Sequence, residues 1–154
     1  MVSLKPKTTV KLRASASCPS HSLSKVSIRD LEFAIDEPVE RGGTNTGPTP
    51  TDTAIAALVG CTNVIGHKCA NSLGIDIGHL EISVVCDFDR RGVTLAEEIE
   101  VPFQNIVLTV EADGSATQDE LDRVAMEVTK YCPLSKLFRN AGTNIEENWK
   151  CKPA

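Results

Sequence analysis

Residues 51–74 read TDTAIAALVGCTNVIGHKCANSLG. Ala54, Ala57, Leu58, Cys61, Val64, Ile65 and Lys68 recur at helical spacing, and Ile55, Ala56 and Val59 cover another face. Thr51 or Asp52 is placed to cap the start, and Gly74 to end it. A helix apolar over so much of its circumference belongs in the middle of something. Gly60 and Gly66 each cost a helix about 1 kcal/mol relative to alanine. Their presence points to close approach by another element.

Upstream, TTVKLRASA (8–16) alternates around Val10, Leu12 and Ala14, and KVSIRDLEFAI (25–35) follows a CPSHS turn. These are expected strands. DEPVERGGTNTGPTP (36–50) is crowded with glycine and proline, and so is a loop, long enough to be functional or exposed. Downstream, HLEISVVCDFD (79–89) alternates Ile82, Val84, Cys86 and Phe88, a strand with one buried face. RRGVT turns the chain into the β-rich EEIEVPFQNIVLTVEAD (97–113), interrupted near Pro102. Thr117 and Glu120 form a capping box before the apolar stripe Leu121, Val124, Ala125 and Val128. A last helix starts at Cys132-Pro133, carries Leu134, Leu137 and Phe138, and ends near Gly142. TNIEENWKCK closes as a strand. The order of strands, buried helix, strands, two helices and strand is α+β.

The chain has 154 residues, 41% of them hydrophobic, which suits one domain over 1–154. A net charge of −5 without a basic stripe argues against a nucleic-acid binder. The N-terminus has no apolar core of a leader, and no apolar run reaches membrane length, so no membrane association and a cytoplasmic address are expected.

Six cysteines, at 18, 61, 69, 86, 132 and 151, are many for that address. No CxxC pair is present, and His21, His67 and His79 form no ligand pattern, so no metal is expected. His67 and Cys69 form an HxC pair, but two residues apart on a helix they point in different directions. Asp52, Glu97 and Glu98 suit caps and solvated faces. Cys69 and Cys86 fall at core positions, and Cys18 and Cys151 in exposed or terminal segments.

Cys132 at an N-cap with Pro133 at N1 would bring a sulfur to free N–H groups and the positive end of a helix dipole. That setting favours the thiolate. Cysteine as a small apolar residue fits the same position. Cys61 sits on an apolar stripe, where a thiol is slow unless a cation is supplied from elsewhere. Arg41 in the glycine-rich loop is one source.

Three segments together resemble the OsmC/Ohr family, the osmotically inducible and organic hydroperoxide resistance proteins. GGTNTGPTPTDTAIAALVGC (42–61) is similar to its glycine-rich loop, proline, acidic residue and buried helix with a cysteine. KYCPLSKLF is similar to its second cysteine motif, and AGTNIEENW to its closing strand. The likeness spans about residues 25–151 and places the two cysteines 71 positions apart (132 − 61).

This resemblance implies an OsmC-like intertwined homodimer, with antiparallel sheets wrapped around two long central helices. It implies a cofactor-free thiol peroxidase acting on organic hydroperoxides. Cys61 would be the nucleophile and Cys132 the resolving thiol, the resulting disulfide being reduced by an external dithiol, with Asp52 and Arg41 in support. The peroxide-specialised branch carries an arginine in the early hairpin turn and a glutamate after the loop proline. Here the turn CPSHSLSK has no arginine, and Thr51 follows Pro50, with Asp52 one place later. The alternative is a non-catalytic module of the same fold that binds an apolar small molecule or a protein partner.

Overall fold

A computed structural model describes residues 6–154. The chain divides into two compact units, Met1–Thr53 and Ala54–Ala154.

The first unit is an antiparallel meander of β1 (Ser15–Ser17), β2 (Ser24–Ile28) and β3 (Leu31–Ile35). The expected strand around Val10 and Leu12 is absent. Both side chains are exposed, at 70% and 93%, so alternation there has no core to face. KVSIRDLEFAI is two strands rather than one, because Arg29 takes a left-handed conformation (φ 56°) and turns the chain.

The loop after β3 is built around Asp36, which is fully buried. Its carboxylate accepts hydrogen bonds from the N–H of Glu37 and from the N–H and hydroxyl groups of Thr44 and Thr46. These bonds, led by the Thr44 hydroxyl, hold the carboxyl far below the usual carboxylate range. The chain folds back so tightly that a Cβ on Gly47 would overlap the Ala34 carbonyl.

Helix α1 (Pro50–Leu73) starts earlier than a cap at Thr51 or Asp52 would place it. Thr49 is the cap, its hydroxyl accepting from the Asp52 N–H at 3.1 Å while the Asp52 carboxylate accepts from the Thr49 N–H at 3.4 Å. Pro50 then takes the first helical position, where its missing donor costs nothing. Gly74 ends the helix at φ 68°, with Ile75 N–H bonded back to the Ala70 carbonyl.

The second unit is a three-stranded sheet ordered β4 (Leu80–Phe88), β5 (Phe103–Ala112), β6 (Asn144–Cys151). β4 and β5 are antiparallel, but β5 and β6 are parallel, which departs from the antiparallel sheets expected. The cause is the connection: α2 (Gln118–Tyr131) and α3 (Pro133–Asn140) form a crossover that returns the chain to the end where β5 began. The capping box Thr117–Glu120 is formed. Leu121, Val124 and Val128 are fully buried with Leu58 of α1 and Leu108 and Val110 of β5. On α3, Phe138 is buried whereas Leu137 points outward at 63% exposure. Among the described residues, no helix is long and apolar enough to cross a membrane.

The glycines of α1 behave differently from one another. A Cβ on Gly66 would lie 2.9 Å from the indole of Trp149, so here the helix and another element do meet closely. Nothing lies within 4 Å of a Cβ on Gly60. That glycine is exposed together with Ala56, Ala57 and Val64, so a single chain covers only part of the apolar circumference. Gly66→Val is expected to lower stability by about 1–3 kcal/mol through overpacking against Trp149, read from a denaturant titration.

Candidate functional site

Cys61 lies in the fourth turn of α1, and Cys132 is the single residue between α2 and α3. The fold brings them together: the Cys132 thiol donates to Cys61 Sγ at 3.1 Å. Cys61 is half-buried and reachable, whereas Cys132 has no exposed surface.

The position of Cys132 follows from its neighbours in sequence. Its N–H closes α2 on the Val128 carbonyl at 2.8 Å, and Pro133 opens α3. Its sulfur caps α3 by accepting the Ser135 N–H at 3.4 Å. The expectation that this helix start would favour a Cys132 thiolate is overturned. Burial pushes the thiol up to about 11, and the contact with Cys61 adds to the rise. The Ser135 and Leu134 N–H groups pull the other way and lose. Removing the sulfur from water outweighs a first-turn dipole. Cys132 thus keeps its proton and points it at Cys61, whose sulfur is the acceptor and the more exposed of the two.

Arg41 and Asp52 are each engaged within their own unit. The Arg41 guanidinium pairs with Glu37 at 3.0 Å and is largely exposed, and Asp52 completes the capping exchange with Thr49. The remaining cysteines stay apart from the pair. Cys69 is in the core, its thiol pushed up by burial and by Glu127, and Cys86 on β4 is pushed up by burial and by Asp87. Cys18 and Cys151 are exposed. His67 bonds to the carbonyls of Asn63 and Gly78 while Cys69 points inward, so the HxC pair diverges. Among the described residues, no group of three or more His, Cys, Asp or Glu side chains is placed to hold a metal ion.

Four residues that motif spacing did not single out, Ser135, Arg139, Thr129 and Glu147, tie the helices flanking Cys132 to β6. Arg139 Nε donates to the Ser135 hydroxyl at 3.2 Å, and its Nη1 to the Ile145 carbonyl at 3.4 Å. Glu147 Oε2 accepts from the Thr129 hydroxyl at 3.3 Å, and its buried Oε1 has no partner. Burial pushes the Glu147 carboxyl up, and neither the nearby Arg139 charge nor the Thr129 hydrogen bond offsets it. The signals were present in the sequence. Glu147 alternates with Ile145 and Trp149 on the inward face of β6, and Arg139 follows Ser135 by one helical turn.

A carboxyl whose folded value is raised binds its proton more tightly in the folded state. Its ionisation therefore costs stability as pH rises from the unfolded value of about 4.3 through the folded one. Glu147→Gln is expected to raise the thermal midpoint at pH 8, with the gain vanishing toward pH 4. An unchanged difference across that range would exclude it.

A family model described as OsmC-like protein matches residues 43–148. Among curated proteins, none matches the sequence significantly. An OsmC-like protein from Mycoplasma pneumoniae is similar in structure, with a TM-score of 0.77 and 17% identity over 94% of this chain and 99% of its own. An organic hydroperoxide resistance protein from Legionella pneumophila gives 0.65 and 16% over 96% and 100%. One from Bacillus subtilis gives 0.61 and 18% over 93% and 98%. At these identities the likeness establishes the fold.

Proposed function

The chain belongs to the OsmC-like protein family, and on that premise we propose that it reduces organic hydroperoxides through Cys61 and Cys132. The observation that carries this is the 3.1 Å approach of two sulfurs 71 positions apart in a largely dry setting. The Cys61 thiolate attacks the distal oxygen of ROOH. The O–O bond breaks, Cys61 becomes a sulfenic acid, and the alkoxide takes a proton to leave as ROH. Cys132 then attacks the sulfenic sulfur, its own proton leaving with the hydroxyl as water, and a disulfide remains. An external dithiol reduces that disulfide by two exchange steps. A separate apolar cavity of about 250 Å³ lies along α3, lined by Ala54, Pro102, Phe103, Leu137 and Phe138. We assign this chemistry to the cytoplasm, in a single OsmC-like domain.

One equivalent of cumene hydroperoxide added to the reduced protein tests this reading. Loss of two hydrogens, with a single cross-linked peptide pair joining 61 and 132, is the expected result. Unconsumed peroxide and intact thiols would leave the second reading, a binding module that uses the apolar cavity.

The working unit is proposed to be a homodimer. Ala56, Ala57, Gly60 and Val64 form an exposed strip of small and apolar residues on α1, suited to close helix packing by a second copy. Gly60→Leu is expected to shift the protein to monomer in sedimentation, whereas an unchanged species would place the interface elsewhere.

A further inference from the structure

Cys132 ends one helix and begins the next, so any play at that joint displaces its sulfur from Cys61. The displacement matters because reacting atoms need an approach of about 3–3.5 Å, and a 1 Å misplacement costs on the order of 100-fold. Both sides of the joint are tied to β6. On the α3 side, Cys132 Sγ accepts the Ser135 N–H. The Ser135 hydroxyl, in a residue only 1% exposed, is engaged by Arg139 Nε, and the other arm of Arg139 reaches the Ile145 carbonyl. On the α2 side, the Thr129 hydroxyl, three residues before Cys132, shares its proton between the Ala125 carbonyl at 3.1 Å and Glu147 at 3.3 Å, two residues beyond Ile145 on the same face of the strand.

We propose that Arg139 is a positioning residue for the thiol pair: its two-armed bridge fastens the first turn of α3 to β6 and so holds Cys132 within bonding reach of Cys61. The inference rests on the redox assignment of those two cysteines. Arginine suits the task because its rigid fork donates in two directions at once, which the single nitrogen of lysine cannot reproduce. Glu147, on the same strand, lies near enough for the Arg139 charge to act on its carboxyl.

The test is the effective concentration of the two thiols in a dithiothreitol redox buffer. Cyclic oxidised dithiothreitol accepts two electrons and two protons as the 61–132 disulfide forms, and quenched samples are counted by alkylation and mass. Arg139→Leu is expected to lower the effective concentration about 10-fold, and Arg139→Lys to recover part of the loss. Ser135→Ala, which removes the link to Arg139 and keeps the backbone, is expected to show a smaller fall in the same direction. A merely structural arginine would lower the melting temperature and leave the effective concentration at the parent value, which overturns the proposal. If Arg139→Leu does not fold, parent-like values in both Arg139→Lys and Ser135→Ala overturn it equally. The measurement uses no peroxide. A protein that forms the disulfide in this buffer but ignores cumene hydroperoxide refutes the peroxidase reading, and the role of Arg139 is still decided.

Discussion

Cys61→Ser is expected to abolish dithiol-dependent peroxide turnover, leaving only the uncatalysed background. A serine hydroxyl at the same place is far too weakly acidic to ionise near neutrality, and it cannot form the sulfenic acid on which the cycle depends. Cys132→Ser is expected to fail differently. It should consume about one equivalent of peroxide and then stop or slow sharply, with a sulfenic acid on Cys61 that a dimedone-type reagent traps. The two variants together separate the roles. Equal, undiminished turnover in Cys61→Ser would remove the chemistry from this site altogether, and loss of the first equivalent in Cys132→Ser would make Cys132 the nucleophile.

The second large effect is the contrast between the thiols toward alkylation. Cys132 is raised from 9.0 to about 11, so at any pH near 8 its thiolate fraction is about 100-fold below that of an unperturbed thiol. Complete burial then slows it further. Iodoacetamide at pH 8 should therefore label Cys61 well before Cys132, as read by peptide mass spectrometry over time. The sign for stability follows from the same shift. The folded state holds the Cys132 proton more tightly than the unfolded one does, so the contribution is complete below about pH 9. It is lost as pH climbs toward about 11. Preferential labelling of Cys132 would contradict this arrangement.

Much of the scaffold was legible residue by residue. The alternation of Ile82, Val84, Cys86 and Phe88 marked β4, and each of these side chains does lie on the partly buried face. Thr117 and Glu120 marked the start of α2, and Cys132-Pro133 the start of α3. Val10 and Leu12 misled because alternation reports a strand only where a second surface covers one side. Thr49 was passed over as the cap of α1 because Pro50 reads as a loop residue until it is placed in the first helical turn. Gly66 and Gly60 carry the same local cost, yet only the position of Trp149 distinguishes them within the chain.

The sequence by itself determined the three helices, the capped start of α2, the Pro133 start of α3 and the buried stripe of α2, since periodicity and capping are properties of residues a few positions apart. The tertiary structure alone decided the parallel course of β6, the meeting of Cys61 with Cys132, the upward shift of the Cys132 thiol and the bridge from Arg139 to β6. Each of these depends on which groups far apart in the chain exclude water from one another, and burial of that kind is set by packing rather than by local pattern.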